Sequence, residues 1–239
     1  MSHIINDLIV QNLFPQSSSV IPKSSLIDLF KSSIYKDNDL SSILNSKFDL
    51  KYNNTYNPSG KLNSIDYREY LQVNNLQVKK KALEIVNPTD SNDVKAEKIL
   101  KWVQENFTYV SDIEQYKRDE YWAYPTESLQ TLKGDCEDGA FLIHSLMLAS
   151  GIPYERIRTY AGYVEAGINA PFGGHAWTIY KRESDNNWIE LDWCYYPEKT
   201  PISERDSFEE DNKYVDAWWW MNALNTYDEY GKWGIDIYA

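Results

Sequence analysis

The chain has 239 residues, of which 36 are acidic and 24 basic, giving a formal net charge of -12. Because acidic residues dominate and no Lys/Arg cluster stands out, a nucleic-acid-binding surface is excluded, and no stretch is long and apolar enough to cross a membrane. Residues 1–20 have no basic start and no uninterrupted apolar run, so we expect a cytoplasmic protein without a signal peptide. The length fits one large domain, or one domain with an N-terminal extension.

Residues 1–86 predict a mainly helical extension without a chemical motif. Segments 25–33 and 65–86 have apolar residues at helical spacing, and the polar stretch 53–60 predicts a loop between them. A helical cap is the simpler interpretation, and a substrate-gating or partner-binding role is the alternative. Asn87-Pro88 marks the boundary to a second domain over residues 87–239, which begins with an amphipathic helix over 93–107.

A single cysteine lies where a loop runs into a strongly apolar segment. Residues 140–149 are apolar nearly all round, which is typical of a helix buried at a domain centre. Asp135 is a natural N-cap for this helix. We therefore expect Cys136 in the first helical turn, where free backbone N–H groups favour a thiolate.

A nucleophilic cysteine needs a base to take its proton and a third group to hold that base. The chain has three histidines. His3 lies near the N-terminus, and His144 lies about 12 Å further along the cysteine helix, too far to contact Cys136. This leaves His175, which the pattern places at the start of a strand.

Segments 156–164, 176–181 and 188–193 alternate as β-strands do. A hairpin between the last two, with Lys181 opposite Asn186, leaves a four-residue loop of common length. The register then pairs three couples: Ile179 with Trp188, Trp177 with Glu190, and His175 with Asp192. Opposite residues have Cβ atoms roughly 4.5–5.5 Å apart. We therefore predict a His175–Asp192 hydrogen bond, in an α+β fold whose antiparallel sheet packs on the cysteine helix.

These residues suggest roles in acyl transfer. Cys136 is the candidate nucleophile, His175 the general base and Asp192 the group that orients the imidazole. The backbone N–H of Cys136 is one oxyanion donor. The further candidates for oxyanion and substrate binding are Trp122, Tyr109, Gly174 and Trp177.

Carboxylates beside the cysteine oppose a thiolate. Asp135, Glu137 and Asp138 would raise the thiol pKa if they faced it, so we expect them to point at backbone amides or basic groups. We expect no metal and no cofactor, since two cysteines and one suitable histidine fall short of a zinc ligand set. The acidic run 204–211 lacks the alternating calcium-loop pattern and predicts a solvated turn.

For Cys194 and for the tryptophan triplet at 218–220, a structural role is the simpler interpretation and a functional role the alternative. Cys194 is favoured as core or edge filler over a redox partner of Cys136. The triplet 218–220 is favoured as core, although alternate side chains in a strand face both ways, so at least one Trp could line a substrate groove.

Taken together, the blocks resemble the transglutaminase-like superfamily within the papain-like class of cysteine enzymes. The resemblance rests on residues 134–140, Gly151-Ile152-Pro153, Gly174-His175-Ala176-Trp177 and 188–192, and covers about residues 88–195. It implies the Cys136–His175–Asp192 triad and a core of one central helix on a sheet. The family includes cysteine peptidases, cross-linking acyltransferases, glycopeptide amidases and inactive scaffolds, so it indicates the chemistry better than the substrate.

We therefore expect a thiol enzyme that forms a thioester acyl-enzyme on an amide bond of a protein or peptide. Hydrolysis is favoured, because nothing in the sequence marks an amine acceptor site. The alternatives are a protein-glutamine cross-linking transglutaminase and an inactive binding module. The sequence does not indicate an oligomeric state.

Overall fold

The computed structural model describes residues 67–165, 172–211, 213–224 and 226–228. The predictions for residues 1–66, including the helix over 25–33 and the loop over 53–60, lie outside this range. Among the described residues, helices of membrane-spanning length and hydropathy do not occur.

Helices fill the first half of the described chain. They are α1 (Leu76–Ile85), α2 (Asn92–Asn106), α3 (Asp112–Gln115), α4 (Pro125–Thr131) and the cysteine helix α5 (Cys136–Ala149), with 3-10 turns at Tyr67–Tyr70, Tyr154–Arg156, Ile202–Glu204 and Phe208–Glu210. Asn75 and Ser91 cap α1 and α2, and each side-chain oxygen accepts a backbone N–H of the first turn. The predicted helices at 93–107 and at the cysteine are confirmed.

Strands follow the cysteine helix. A five-stranded antiparallel sheet has the order β5-β4-β3-β6-β7, formed by β3 (Ile157–Glu165), β4 (Phe172–Lys181), β5 (Trp188–Leu191), β6 (Tyr214–Met221) and β7 (Thr226–Asp228). Two short strands, β1 (Thr108–Tyr109) and β2 (Lys133–Gly134), pair in parallel. This pair brings Tyr109 beside the residues that lead into α5.

The predicted register of the β4–β5 hairpin is wrong by two residues. Lys181 pairs with Trp188, and Ile179 with Glu190. The loop spans residues 182–187 and is longer than expected. Within it Asn186 takes a left-handed conformation with φ 62°, and the Asp185 carboxylate accepts a hydrogen bond from the Arg182 guanidinium. A shift of two keeps every side chain on its face, whereas a shift of one would reverse the faces.

The cysteine helix lies at the centre of the core, with residues 137–148 buried. Helices α1, α2 and α4 pack on it from one direction and strands β3 and β4 from the other. The Thr178 hydroxyl of β4 donates to the Ala140 carbonyl at 3.0 Å. Helix and sheet are thus joined in an α+β core, as the sequence predicts.

Aromatic side chains extend this core toward the N-terminal side. Tyr67 stacks on Trp219 with ring centroids 4.2 Å apart, and Tyr70 stacks on Phe141 at 5.0 Å. The described part of the predicted extension therefore packs into the same core as the later elements. The boundary at residues 86/87 stays a prediction. Trp219 is the buried member of the predicted tryptophan triplet.

Close packing joins the first turn of α5 to the chain that follows β5. A Cβ atom on Gly139 would lie 2.1 Å from Nε1 of Trp193. The same indole N–H donates to the Cys136 carbonyl at 3.2 Å. Glycine is required at this position because the indole fills the space that a side chain would need.

Gly139→Ala tests this close approach. Alanine stabilises an unhindered helix by about 1 kcal/mol relative to glycine, whereas overpacking costs roughly 1–3 kcal/mol or more. We expect a net loss of unfolding free energy, measured by urea denaturation. In a Trp193→Phe background the loss should shrink, because the smaller ring leaves room. A Gly139→Ala protein more stable than the wild type would contradict the packing.

Candidate active site

Cys136 is the first residue of the cysteine helix, at its electropositive end. Asp135 occupies the predicted N-cap position, but its side chain makes no capping hydrogen bond. The backbone N–H of Ala176, the residue after His175, lies close enough to the Cys136 sulfur to lower the pKa of that thiol, against the larger effect of burial. The thiol therefore lies against β4, next to the candidate base.

The predicted hydrogen bond between His175 and Asp192 is present. His175 Nε2 lies 2.7 Å from Asp192 Oδ2, and the side chains are 1% and 0% exposed. Burial alone would raise the pKa of Asp192, but the hydrogen bond and charge of His175, with backbone N–H groups of the following loop, lower it. Asp192 is therefore an anion that only accepts, so Nε2 carries a proton.

This bond leaves His175 Nδ1 with the lone pair of the neutral ring. Nδ1 is thus the nitrogen that can take a proton from a thiol. His144 is no competitor, because it is buried in α5 and bonded to the Thr159 hydroxyl at 2.8 Å. Burial lowers the pKa of His144 to about 3, so that ring stays neutral.

The thiol rests in its protonated form. Cys136 Sγ donates to Glu137 Oε2 at 3.3 Å. Burial raises the pKa of the Cys136 thiol, and the charge of Asp135 raises it further, against the opposing effect of the Ala176 N–H. The expectation that the acidic neighbours point away from sulfur is therefore wrong for Glu137. It is correct for Asp138, whose Oδ1 accepts the Ala123 N–H at 2.6 Å.

Four carboxyl groups meet beside the start of the cysteine helix. Asp112, Asp135, Glu137 and Asp138 each place one oxygen within 4.8 Å of the others. Each has one buried oxygen that receives no hydrogen bond from a protein donor: Asp112 Oδ1, Asp135 Oδ1, Glu137 Oε1 and Asp138 Oδ2. Asp135 and Glu137 also contact each other as a hydrogen-bonded pair. Two carboxylates offer only acceptors, so this contact requires a proton or a cation.

The electrostatics of this carboxyl cluster follow from burial and mutual repulsion. Burial raises the pKa of Asp112 to about 7, with a further contribution from the Asp135 charge. Burial likewise raises the pKa values of Glu137 and Asp138 well above their usual range. Clustered carboxylate oxygens are the ligands that Ca²⁺ takes in proteins. These four residues are the group that could hold a hard cation.

The other candidate residues fall into two sets. Tyr109 is 55% exposed, and its phenol is close enough to Cys136 to interact with the charge on its sulfur. Gly174 is also exposed, and a Cβ there would lie 3.1 Å from the Trp218 ring. Trp122 and Trp177 are 6% and 1% exposed. The Trp122 indole N–H donates to Glu120 at 2.5 Å. Because both indoles are buried, neither tryptophan is positioned to meet a substrate.

Sequence reasoning missed three residues that contact the site. Asp112 and Tyr214 are distant in sequence from the cysteine and carried no motif. Trp193 directly follows Asp192, and that adjacency was the available signal. Cys194 has its sulfur within 4.8 Å of a His175 nitrogen and an Asp192 oxygen, and both cysteines are free thiols.

The family model of the transglutaminase-like superfamily matches residues 79–193. No curated protein matches the chain. Among solved structures, LapG of Legionella pneumophila is 17% identical over 65% of this chain and 88% of that chain, with a TM-score of 0.47. Its calcium-bound form is 19% identical over 64% and 86%, with a TM-score of 0.46. A candidate cysteine protease from Cytophaga hutchinsonii is 24% identical over 52% and 38%, with a TM-score of 0.41.

The raised pKa of Asp112 predicts a pH-dependent cost. A carboxyl whose folded pKa is about 7 binds its proton more tightly in the folded state than in the unfolded state. Its contribution to the free energy of unfolding is therefore fully present below the unfolded pKa, near 4, and is lost as the pH rises through 7. In EGTA, Asp112→Asn should therefore gain thermal stability relative to the wild type between about pH 4 and pH 8. Asp119→Asn, at an exposed position nearby, is the control. If the difference in thermal stability between Asp112→Asn and the wild type stays constant with pH, the raised pKa of Asp112 is contradicted.

Proposed function

We propose that the chain, whose residues 79–193 match the family model of the transglutaminase-like superfamily, is a thiol acyl-transfer enzyme that hydrolyses an amide bond of a protein or peptide. The observation that carries the proposal is the buried His175–Asp192 hydrogen bond of 2.7 Å. It lies next to the residue whose N–H contacts the Cys136 sulfur. Nucleophile, base and orienting carboxylate are the parts that such chemistry requires.

In the proposed mechanism, His175 acts as a general base during attack. Because burial keeps the Cys136 thiol protonated, the sulfur attacks the substrate carbonyl as Nδ1 of His175 takes its proton. Asp192, held as an anion, stabilises the imidazolium that forms. His175 then protonates the leaving amine, and a thioester acyl-enzyme remains. Water, deprotonated by the same ring, hydrolyses the thioester and frees the thiol.

Two donors are available for the oxyanion. The backbone N–H of Cys136 points out of the first turn of a helix, where developing negative charge is stabilised. The phenol of Tyr109 is the second. Burial, followed by the charge on the Cys136 sulfur, raises the pKa of Tyr109, so the hydroxyl stays protonated and can donate.

We further propose that the carboxyl cluster of Asp112, Asp135, Glu137 and Asp138 holds a Ca²⁺ ion. The four unsatisfied buried oxygens support this proposal, since a cation would satisfy them together. Its positive charge would offset the Asp135 charge that raises the pKa of the Cys136 thiol, and so favour the thiolate. The cluster is separate from the acidic run 204–211 that the sequence singled out.

A mixed substrate assay tests the acyl-transfer proposal. The protein is incubated with a casein-derived peptide library and with a labelled primary amine plus a glutamine-bearing protein. We expect peptide cleavage that disappears in Cys136→Ala and falls by on the order of 10³-fold or more in His175→Ala. Cys194→Ser is the matched thiol control and should keep the activity.

Two outcomes would contradict hydrolysis. Amine incorporation that depends on Cys136, without cleavage, would indicate a cross-linking enzyme. No reaction in either assay, together with equal iodoacetamide labelling of Cys136 and Cys194, would indicate a binding module.

Calcium binding is tested by thermal unfolding. Addition of CaCl₂ to EGTA-treated protein should raise the unfolding midpoint, at roughly 2–4 °C per kcal/mol of binding energy for a chain of this size. Asp112→Asn should largely remove the rise. Glu209→Gln, in the exposed acidic run, should keep it. A rise that Glu209→Gln removes and Asp112→Asn keeps would place the ion in the acidic run instead.

A further inference from the structure

Asp192 is held by an unusually complete set of donors. Its Oδ1 accepts the backbone N–H groups of Cys194 and Tyr195, both at 3.1 Å. Its Oδ2 accepts the backbone N–H of Tyr196 at 3.3 Å. The loop that leaves β5 thus wraps around the carboxylate. A carboxylate with several N–H donors is strongly favoured as an anion.

A side chain from another strand completes the set. The phenol of Tyr214, in β6, donates to Asp192 Oδ2 at 3.1 Å. This is the same oxygen that accepts His175 Nε2 at 2.7 Å. The Tyr214 hydroxyl and the His175 imidazole therefore donate to the same acceptor atom. Because they share it, a change in one hydrogen bond changes the strength of the other.

We propose that Tyr214 is a positioning residue that sets how strongly Asp192 holds the proton on His175. This inference rests on the proposed function and names a residue that acts through the His175–Asp192 pair without touching the substrate. The loop N–H groups make the carboxylate an anion, and the phenol adjusts its basicity at the oxygen that faces the imidazole.

The tyrosine ring also fixes the imidazole in space. The Tyr214 ring packs on Trp177 with centroids 4.8 Å apart. Trp177 in turn stacks on His175 at 5.9 Å and 20°. Trp177, a candidate for substrate binding, is 1% exposed and packs against both rings. The phenol and the imidazole thus pack against the same indole and donate to the same carboxylate.

The charges around the phenol keep it a donor. Burial raises the pKa of Tyr214, and the neighbouring carboxylates of Asp192, Glu190 and Asp211 raise it further. The hydroxyl is therefore protonated across the working pH range. Its positive end points at the oxygen shared with His175, where it disfavours the imidazolium form. Two other titratable groups lie at this pair: the Cys194 thiol, and the Tyr195 phenol, whose ring centroid lies 5.1 Å from that of His175.

The sign of the effect follows. Without the phenol, Asp192 Oδ2 loses a donor and becomes more basic, so the imidazolium is held more tightly. Tyr214→Phe should move the titration midpoint of the His175 ring upward by roughly half a pH unit or more. The acid limb of kcat/KM should move upward with it.

The experiment is an NMR titration of the His175 ring protons alongside the pH profile of peptide hydrolysis. Tyr196→Phe is the matched control, because the Tyr196 hydroxyl donates to the Glu165 carbonyl and not to Asp192. It should leave the midpoint at the wild-type value. Replacing Tyr214 by 3-fluorotyrosine, a stronger donor of nearly equal size, should move the midpoint downward, and it tests the proposal where Tyr214→Phe does not fold.

Two results would overturn the positioning role: a wild-type midpoint in folded Tyr214→Phe, or equal shifts in Tyr214→Phe and Tyr196→Phe. The NMR titration needs no substrate, so the two proposals fail separately. A wild-type protein that cleaves no peptide, with the expected midpoint shifts, defeats the hydrolase proposal and keeps the role of Tyr214.

Discussion

A carboxylate buried at 1% exposure is the constraint on which the rest of the site depends. Removing Asp192 from water is costly unless its oxygens are satisfied, and removing one partner of a buried charged pair typically costs about 3–5 kcal/mol. The chain after β5 turns sharply so that three consecutive N–H groups reach the carboxylate. The fold thereby keeps an anion beneath the imidazole without a cation of its own.

In the first turn of the cysteine helix, by contrast, the surroundings disfavour an anion at the Cys136 sulfur. The helix N-terminus favours an anion at sulfur, yet burial and Asp135 raise the pKa of the Cys136 thiol. Within one turn, the backbone promotes the thiolate and the side chains suppress it. The proposed nucleophile and the proposed base thus have different surroundings: the His175 ring lies next to an anion, whereas the Cys136 thiol is kept protonated by its neighbours.

The sequence sufficed for the cysteine helix, for three of the strands and for the hydrogen bond between His175 and Asp192, but not for the strand register. Successive side chains of a strand lie on opposite faces of the sheet, so the alternation of apolar and polar residues shows directly on which face each side chain lies. The register depends on the length of the loop, which spans residues 182–187, and hydrophobic periodicity does not reveal that length. The carboxyl cluster was missed for another reason: Asp112 reaches Asp135 only through tertiary packing, and a single acidic residue in a polar stretch carries no signal of it.

Trp193 gives the molecule a feature relevant to engineering. The residue directly after Asp192 sends its indole to the Cys136 carbonyl and against Gly139. The peptide unit between Asp192 and Trp193 therefore links the carboxylate that follows β5 to the first turn of the cysteine helix. Loop grafts between homologous proteins must therefore leave this dipeptide intact, because a deletion or insertion of one residue there would misalign the cysteine helix and the Asp192 carboxylate.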